Sequence, residues 1–185
     1  RLSISAAITI LALTVAVSAY AFDPKSFELK DPAGDDKGPG NYSYPTGSEY
    51  ARGSFDLRSV SVKDKGSSYE FRVKLGARVK DPWNSKSWGG NGFSLQMVQI
   101  YINSKRGGFR GTLPGINVKF PKGHAWDKVV FISPQPKSKI VSEVKSKKKK
   151  MLRGLVVPTR TYASGRELIA TVKKADLGRI NKSWG

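Results

Sequence analysis

The residues with the clearest chemical potential form an acidic cluster. Asp31, Asp35 and Asp36 lie within six positions of one another, among glycines and a proline. Carboxylate oxygens on a tight loop are ligands that Ca²⁺ prefers, although this spacing is not that of an EF-hand. Aspartates in turns also accept hydrogen bonds from nearby backbone N–H groups. The cluster therefore predicts either a calcium site or a set of capped turns. Further candidate ligands are Asp23, Glu28 and Asp56.

Aromatic residues accompany the polar stretch 84–92, which has the composition of a flexible binding loop. Their flat rings can provide a stacking surface for sugar rings. The same rings can instead fill the core of the domain or close its ends, and the sequence alone favours that alternative. The candidate sugar-binding residues are Trp83, Trp88, Tyr42 and Tyr44, together with Trp126.

Four consecutive lysines, Lys147, Lys148, Lys149 and Lys150, follow Lys145 and stand between two predicted strands, which predicts a basic loop. Basic loops bind anions, but no aromatic residues are interleaved here for base stacking, so nucleic acid is not an expected partner. One interpretation is a solvated hairpin. The other is contact with the acidic stretch 23–36 of a neighbouring copy of the chain.

The composition excludes several kinds of chemistry. The chain has no cysteine and one histidine, so disulfides, thiolate metal sites, cysteine nucleophiles and His-rich metal centres are ruled out. No nucleophile–base spacing or phosphate-binding glycine loop is present, and we expect no enzymatic activity. Of the 33 Lys and Arg residues, 20 fall in residues 101–185 with 4 of the 14 acidic residues, so this half carries +16 of the net charge of +19. Such a charge favours polyanionic partners or a heat-adapted surface.

The elements that must position these residues are mostly strands. From residue 23 onward, short apolar runs alternate with Gly, Pro, Asn and Asp clusters, and no segment has a sustained helical period. One helical turn is expected at 175–178. The pattern predicts an antiparallel β-sandwich over residues 23–185. The predicted strands are a hairpin within 55–75 and single strands at 93–102, 128–132, 152–157 and 167–173.

Residues 1–22 differ from the rest, because Leu2 to Phe22 contains no charged residue. As a helix this segment is roughly 31 Å long, about the thickness of the bilayer hydrocarbon. It fits a signal peptide cleaved after Ala19-Tyr20-Ala21, a membrane anchor, a pilin-like helix or an added β-strand, and we favour the pilin-like helix. The candidate assembly residues are Leu2, Ile4, Ile8, Ile10, Leu11, Leu13, Val15, Val17 and Phe22.

A series of short motifs carries a family resemblance. They occupy 31–46 (DPAGDDKGPGNYSYPT), 53–57, 81–83, 92–96, 99–102, 113–115 and 125–127. In this order they resemble the DOMON-like domain at the C-terminus of glucodextranases and in related archaeal surface proteins. The resemblance implies a β-sandwich whose relatives bind sugars or, in some branches, haem. It makes His124 and Met97 candidate haem ligands, but surface histidines and core methionines are far commoner, so haem is not expected.

The sequence thus favours a non-catalytic subunit of an extracellular archaeal filament, or pilus. Residues 1–22 would sit in the membrane before assembly and then pack against copies of the same chain, while the sandwich is displayed on the cell surface. No cofactor other than Ca²⁺ is expected, and the lysine-rich composition suits a thermophile. The alternative is a membrane-anchored or secreted carbohydrate-binding module with polysaccharide as its partner.

Overall fold

The computed structural model describes residues 26–37 and 43–179. The predicted mainly-β fold with antiparallel sheets is confirmed for these residues, whereas the predicted helix at 1–22 lies outside them. Two 3₁₀ helices cover Ser85–Trp88 and Lys149–Gly154. The other elements are, in chain order, β1 (Ser26–Lys30), β2 (Leu57–Asp64), β3 (Ser68–Leu75), β4 (Val98–Ile102), β5 (Lys128–Ile132), α1 (Lys137–Lys148), β6 (Leu155–Val156), β7 (Arg160–Ser164), β8 (Glu167–Lys173) and α2 (Lys174–Leu177).

The larger sheet has five antiparallel strands in the order β1-β2-β3-β8-β7. Its centre is the predicted hairpin, in which Val62 lies opposite Phe71. Both side chains are buried, because residues opposite each other on neighbouring strands point to the same face of the sheet, and this face packs on the main core. At the turn, Gly66 has a positive φ of 81° and donates its N–H to the Asp64 carboxylate at 2.8 Å. The predictions of this hairpin and of β8 are confirmed.

The smaller sheet consists of β4, β5 and β6, with β4 and β5 antiparallel and β5 and β6 parallel. The prediction of β5 is confirmed. The predicted strand at 93–102 pairs only from Val98 onward, although Phe93 is fully buried. The predicted strand at 152–157 is reduced to β6. The other apolar residues in these two runs are not paired in a strand. Periodicity alone does not distinguish an apolar residue that packs in the core from one in a paired strand.

The two sheets pack against a common hydrophobic core. Burial of this apolar surface is the main contribution that holds the sheets together. The larger sheet contributes residues from β2, β3 and β8, and the smaller sheet contributes residues from β4, β5 and β6. The buried members include Val62, Phe71, Val73, Ile102, Val130, Ile132, Val156, Leu168, Ala170 and Val172.

Helix α1 covers the other face of the smaller sheet, and its 12 residues correct the prediction that no sustained helix follows residue 23. Ile140 and Val144, one turn apart, pack into a second core cluster with Val129 and Phe131 of β5. Most of the remaining helix positions are Lys or Ser, so only a narrow apolar stripe is present. Two buried residues are too few to give the repeating apolar pattern from which a helix is predicted.

The short helix α2 confirms the helical turn expected at 175–178. It follows β8 directly, and Leu177 is buried against the main core. Within the part of the chain that the structure describes, every helix is too short or too polar to cross a membrane.

Candidate functional site

The segment 81–92 forms a loop built around one buried side chain. Ser85, which is 0% exposed, donates its hydroxyl to the Asp81 carboxylate at 2.9 Å. The same hydroxyl oxygen accepts the N–H of Gly92 at 2.9 Å, and the backbone N–H of Ser85 donates to Asp81 at 2.9 Å. These bonds tie the start and the end of the loop to its first helical residue. The loop is therefore fixed by its own hydrogen bonds.

Further contacts hold this loop against the end of β5. Asn91 donates its backbone N–H to the Pro134 carbonyl at 3.0 Å and its side-chain amide to the Ser133 carbonyl at 2.8 Å. Gly90 packs so closely that a Cβ there would lie 2.5 Å from the Pro134 carbonyl oxygen. Only glycine fits this approach of loop backbone to strand backbone.

Two tryptophans project from this fixed loop. Trp83 is 53% exposed and Trp88 is 41% exposed, which places them among the most exposed large apolar side chains of the described residues. The indole Nε1–H of Trp88 donates to the Trp83 carbonyl at 3.4 Å, so the two residues are held near each other. The backbone N–H of Trp83 also donates to Ser94 at 3.3 Å. We call Trp83 and Trp88 the tryptophan pair.

The remaining aromatic candidates are placed elsewhere. Trp126 is 1% exposed and donates its Nε1–H to the Gly111 carbonyl at 2.7 Å, within the second core cluster. It is a core residue, as the alternative interpretation of the aromatics predicted. Tyr44 is half-buried, and its hydroxyl accepts the N–H of Phe55 at 3.2 Å. Tyr42 lies outside the described residues.

Tyr44 lines a separate pocket of about 610 Å³ that contains charges of both signs. Asp56, which is buried, accepts hydrogen bonds from the Gly34 N–H at 3.1 Å and from Arg58 at 3.3 Å. Burial raises the pKa of Tyr44, and the neighbouring Asp36 carboxylate raises it further. Its phenol is thus kept neutral. The pocket is lined by Gly34, Asp36, Lys37, Tyr44, Tyr50, Arg52, Gly53, Asp56, Arg58 and Gly76.

The three aspartates of the acidic cluster are not gathered at one point. Asp36 lines the pocket just described, whereas Asp31 lines a different groove with Glu28, Lys74 and Arg166. In residues 26–37 and 43–179, no three His, Cys, Asp or Glu side chains are grouped so that they could hold a metal ion. The calcium site at Asp31, Asp35 and Asp36 stays a prediction. Asp56, a further candidate ligand, accepts the backbone N–H of Gly34, which lies within this cluster.

The candidate haem ligands are both on the surface. Met97 is exposed just before β4, outside the strand in which the sequence placed it, and His124 is exposed on a turn. Met97 is therefore not the core methionine that was expected. The expected absence of haem remains a prediction.

The structure corrects the predicted basic loop. Lys147 and Lys148 end α1, and Lys149 and Lys150 begin the following 3₁₀ helix. All four are exposed, and Lys147 pairs with Glu143 one turn earlier at 2.9 Å. The residues are helical because Ile140 and Val144 anchor α1 to β5, which is a tertiary effect. The candidate assembly residues of segment 1–22 lie outside the described residues.

With this geometry established, the chain can be assigned to a family. It belongs to the family described as the C-terminal binding module, SLH-like, of glucodextranase, whose family model matches residues 26–185. The resemblance to the C-terminal domain of glucodextranases is thereby confirmed over residues 26–185, while the relation to DOMON domains and archaeal surface proteins stays a prediction. The match does not include the apolar segment, so a pilin-like character of residues 1–22 is not shown. No curated protein matches the sequence.

Proposed function

We propose that this chain is a non-catalytic carbohydrate-binding module of the cell surface or extracellular space. The family is named for a binding module of a glucan-degrading enzyme, and this supports polysaccharide as the ligand class. The family match favours a carbohydrate-binding module over a filament subunit. The filament hypothesis depends on residues 1–22, which lie outside the described residues.

The observation that carries the proposal is the tryptophan pair on a loop that is already fixed. The C–H faces of a pyranose ring are apolar and pack on aromatic faces, while its hydroxyls need polar neighbours. Asn84 and Lys86 are exposed on the same loop and can donate hydrogen bonds. Because Ser85, Asp81 and Gly90 hold the loop in place, little conformational entropy is lost when a ligand binds.

The test compares the full chain with Trp83→Ala, Trp88→Ala and the double variant. Binding to cross-linked dextran and to insoluble starch is measured by co-sedimentation, with thermal unfolding of each variant as a check on folding. We expect each single change to weaken binding by about tenfold or more, as truncation of a tryptophan at the centre of a binding surface does. Val118→Ala is the matched control, since Val118 is 57% exposed on another loop.

Unchanged binding by the double variant would rule out the tryptophan pair as the sugar site. A fall in stability as large as that of a core substitution would instead assign the two rings to packing. If the chain bound neither glucan nor any other neutral polysaccharide, the proposed function itself would be wrong.

A further inference from the structure

The strongest charged feature of the molecule is the segment 137–153, which spans α1 and most of the following 3₁₀ helix. It contains seven lysines, one arginine and one glutamate, for a net charge of +7. Lys147 pairs with Glu143, and among the described residues no ion pair is formed by the other seven cations. The basic ridge, as we call it, consists of Lys145, Lys147, Lys148, Lys149, Lys150 and Arg153, all of them exposed.

The helix dipole explains why only some of these lysines are favourable at their positions. Lysines in the last turn of a helix are favoured by the partial negative charge there, and Lys145, Lys147 and Lys148 occupy that turn. Lys149, Lys150 and Arg153 follow the end of α1, so the dipole gives no comparable reason for them. Like charges at this density repel one another, and a bound polyanion would relieve that repulsion.

The ridge continues into a groove on the body of the domain. Side chains three residues apart in a 3₁₀ helix lie on the same face, which places Arg153 next to Lys150. Arg153 lies over the Phe109 ring, 4.6 Å from its centre, and lines a groove of about 400 Å³ with Lys105, Arg106 and Lys128. Cations from three separate parts of the sequence therefore form one surface.

The position of this surface is fixed by close packing. Gly154 ends the 3₁₀ helix, and a Cβ there would lie 2.7 Å from the Asp127 carbonyl oxygen. The Asp127 carboxylate, the acidic group of the groove, accepts hydrogen bonds from the Ser104 hydroxyl at 2.8 Å and the Lys105 N–H at 3.3 Å. It also accepts the backbone N–H of Ser104 at 2.6 Å. The carboxylate is thus bonded to Ser104 and to the Lys105 backbone, and none of the ion pairs of the described residues includes it, which leaves the surrounding cations available for an external ligand.

We propose that the basic ridge and its groove bind an acidic polysaccharide, at a surface separate from the tryptophan pair. The choice of polysaccharide rests on the proposed function and on the side chains present. No large apolar side chain of 137–153 is strongly exposed, so base stacking by single-stranded nucleic acid has no partner there. The apolar face of α1 is buried on β5, so it is not available for insertion into a lipid surface.

The type of cation supports the same ligand. Lysine is a flexible point charge that contacts anionic groups without a fixed geometry, whereas arginine is favoured where a carboxylate or phosphate is held by planar, bidentate contacts. Seven of the eight cations of the segment are lysines. A polymer that carries repeated single charges fits this surface better than one that requires oriented bidentate recognition.

The experiment measures binding of the full chain to polygalacturonate and to heparin, with dextran as the neutral polymer. The ridge variant carries Lys145→Gln, Lys148→Gln, Lys149→Gln and Lys150→Gln, which leaves the Lys147–Glu143 pair intact. The control variant carries Lys63→Gln, Lys65→Gln, Lys74→Gln and Lys173→Gln. It removes the same charge from exposed lysines of β2, β3, β8 and the turn between β2 and β3. The larger sheet packs on the face of the smaller sheet that α1 does not cover.

We expect binding to the acidic polymers to fall by about tenfold or more in the ridge variant, and by much less in the control variant. Binding should also fall by about tenfold or more between about 50 and about 200 mM salt, because counterions are released on association. Lys105→Gln with Arg106→Gln should weaken binding in the same direction. Trp83→Ala should leave it unchanged.

Equal losses in the ridge and control variants would show a nonspecific charge effect and overturn the proposal. Tighter ridge-dependent binding to duplex DNA, or to vesicles with about 30% phosphatidylserine, would assign the surface to nucleic acid or membrane and would also overturn it. Loss of dextran binding in Trp83→Ala, with acidic-polymer binding retained, separates the two surfaces. If the ridge variant fails to fold, Lys149→Glu with Lys150→Glu replaces it, with the same expected loss.

Discussion

Removal of the Ser85 hydroxyl tests whether the loop is held as described. Ser85→Ala deletes the charge-assisted bond to Asp81 and leaves the Gly92 N–H without its acceptor. A hydrogen bond to a charged group contributes about 1.5–3 kcal/mol, and an unsatisfied partly buried donor costs about 1–3 kcal/mol. Part of each is recovered by water, since Gly92 and Asp81 are half-buried. We therefore expect a loss of about 2–4 kcal/mol in the free energy of unfolding.

The matched control is Ser87→Ala, two residues further along the same 3₁₀ helix. Ser87 donates its hydroxyl to the Asn84 carbonyl at 2.8 Å, but this contact is exposed to water. We expect its removal to cost less than about 0.5 kcal/mol. Both variants remove one serine hydroxyl. Ser85 is buried and its hydroxyl bonds a charged carboxylate, whereas Ser87 is exposed and its hydroxyl bonds a neutral carbonyl.

Urea unfolding followed by circular dichroism measures the two free energies, and acrylamide quenching of tryptophan fluorescence reports on the loop. The Ser85 variant should also lose polysaccharide affinity, because Ser85 begins the helix that ends at Trp88. Equal stability of the two variants, within about 0.5 kcal/mol, would refute the hydrogen-bond account of the loop.

Two further predictions concern the core and the apolar segment. Burial raises the pKa of Tyr101 above its ordinary value of 10.0, so the folded state keeps this phenol neutral. The stability that the neutral Tyr101 phenol contributes is complete below pH 10 and is lost as the pH rises through the pKa of the folded state. Unfolding curves measured at alkaline pH should show this loss of stability. The loss should be smaller in Tyr101→Phe. Deletion of residues 1–22 should leave the melting temperature unchanged under the filament-helix hypothesis and lower it sharply under the added-strand hypothesis. Filaments formed by the truncated chain, seen by electron microscopy, would refute the filament-helix hypothesis.

The filament hypothesis and the proposed module are compatible in one respect. Both place the β-domain outside the cell, and they differ in what residues 1–22 contact. The family match supports the binding role of the β-domain and does not extend to the apolar segment. The deletion experiment therefore tests the filament hypothesis without affecting the tests of the tryptophan pair.

The sequence by itself determined the elements whose signal is local. The alternation of apolar and polar residues in β2 and β3, and the glycine turn between them, is sufficient to predict the hairpin. β5, β8 and the helical turn at α2 are likewise predicted from short stretches of the sequence, β5 and β8 as apolar runs. The ordered motifs also gave the family, because they occur in this order over most of the domain.

Tertiary structure decided the features that depend on contacts between distant residues. Trp83, Trp88 and Trp126 are the same residue type in similar surroundings of glycine and polar residues. Trp126 is buried because the second core cluster encloses it, whereas the Asp81–Ser85 bonds hold the other two at the surface. Helix α1 likewise forms because β5 offers an apolar face to Ile140 and Val144. A side chain is buried when other residues pack against it, and for these side chains those residues lie far away in the sequence. The local sequence pattern therefore does not predict their burial.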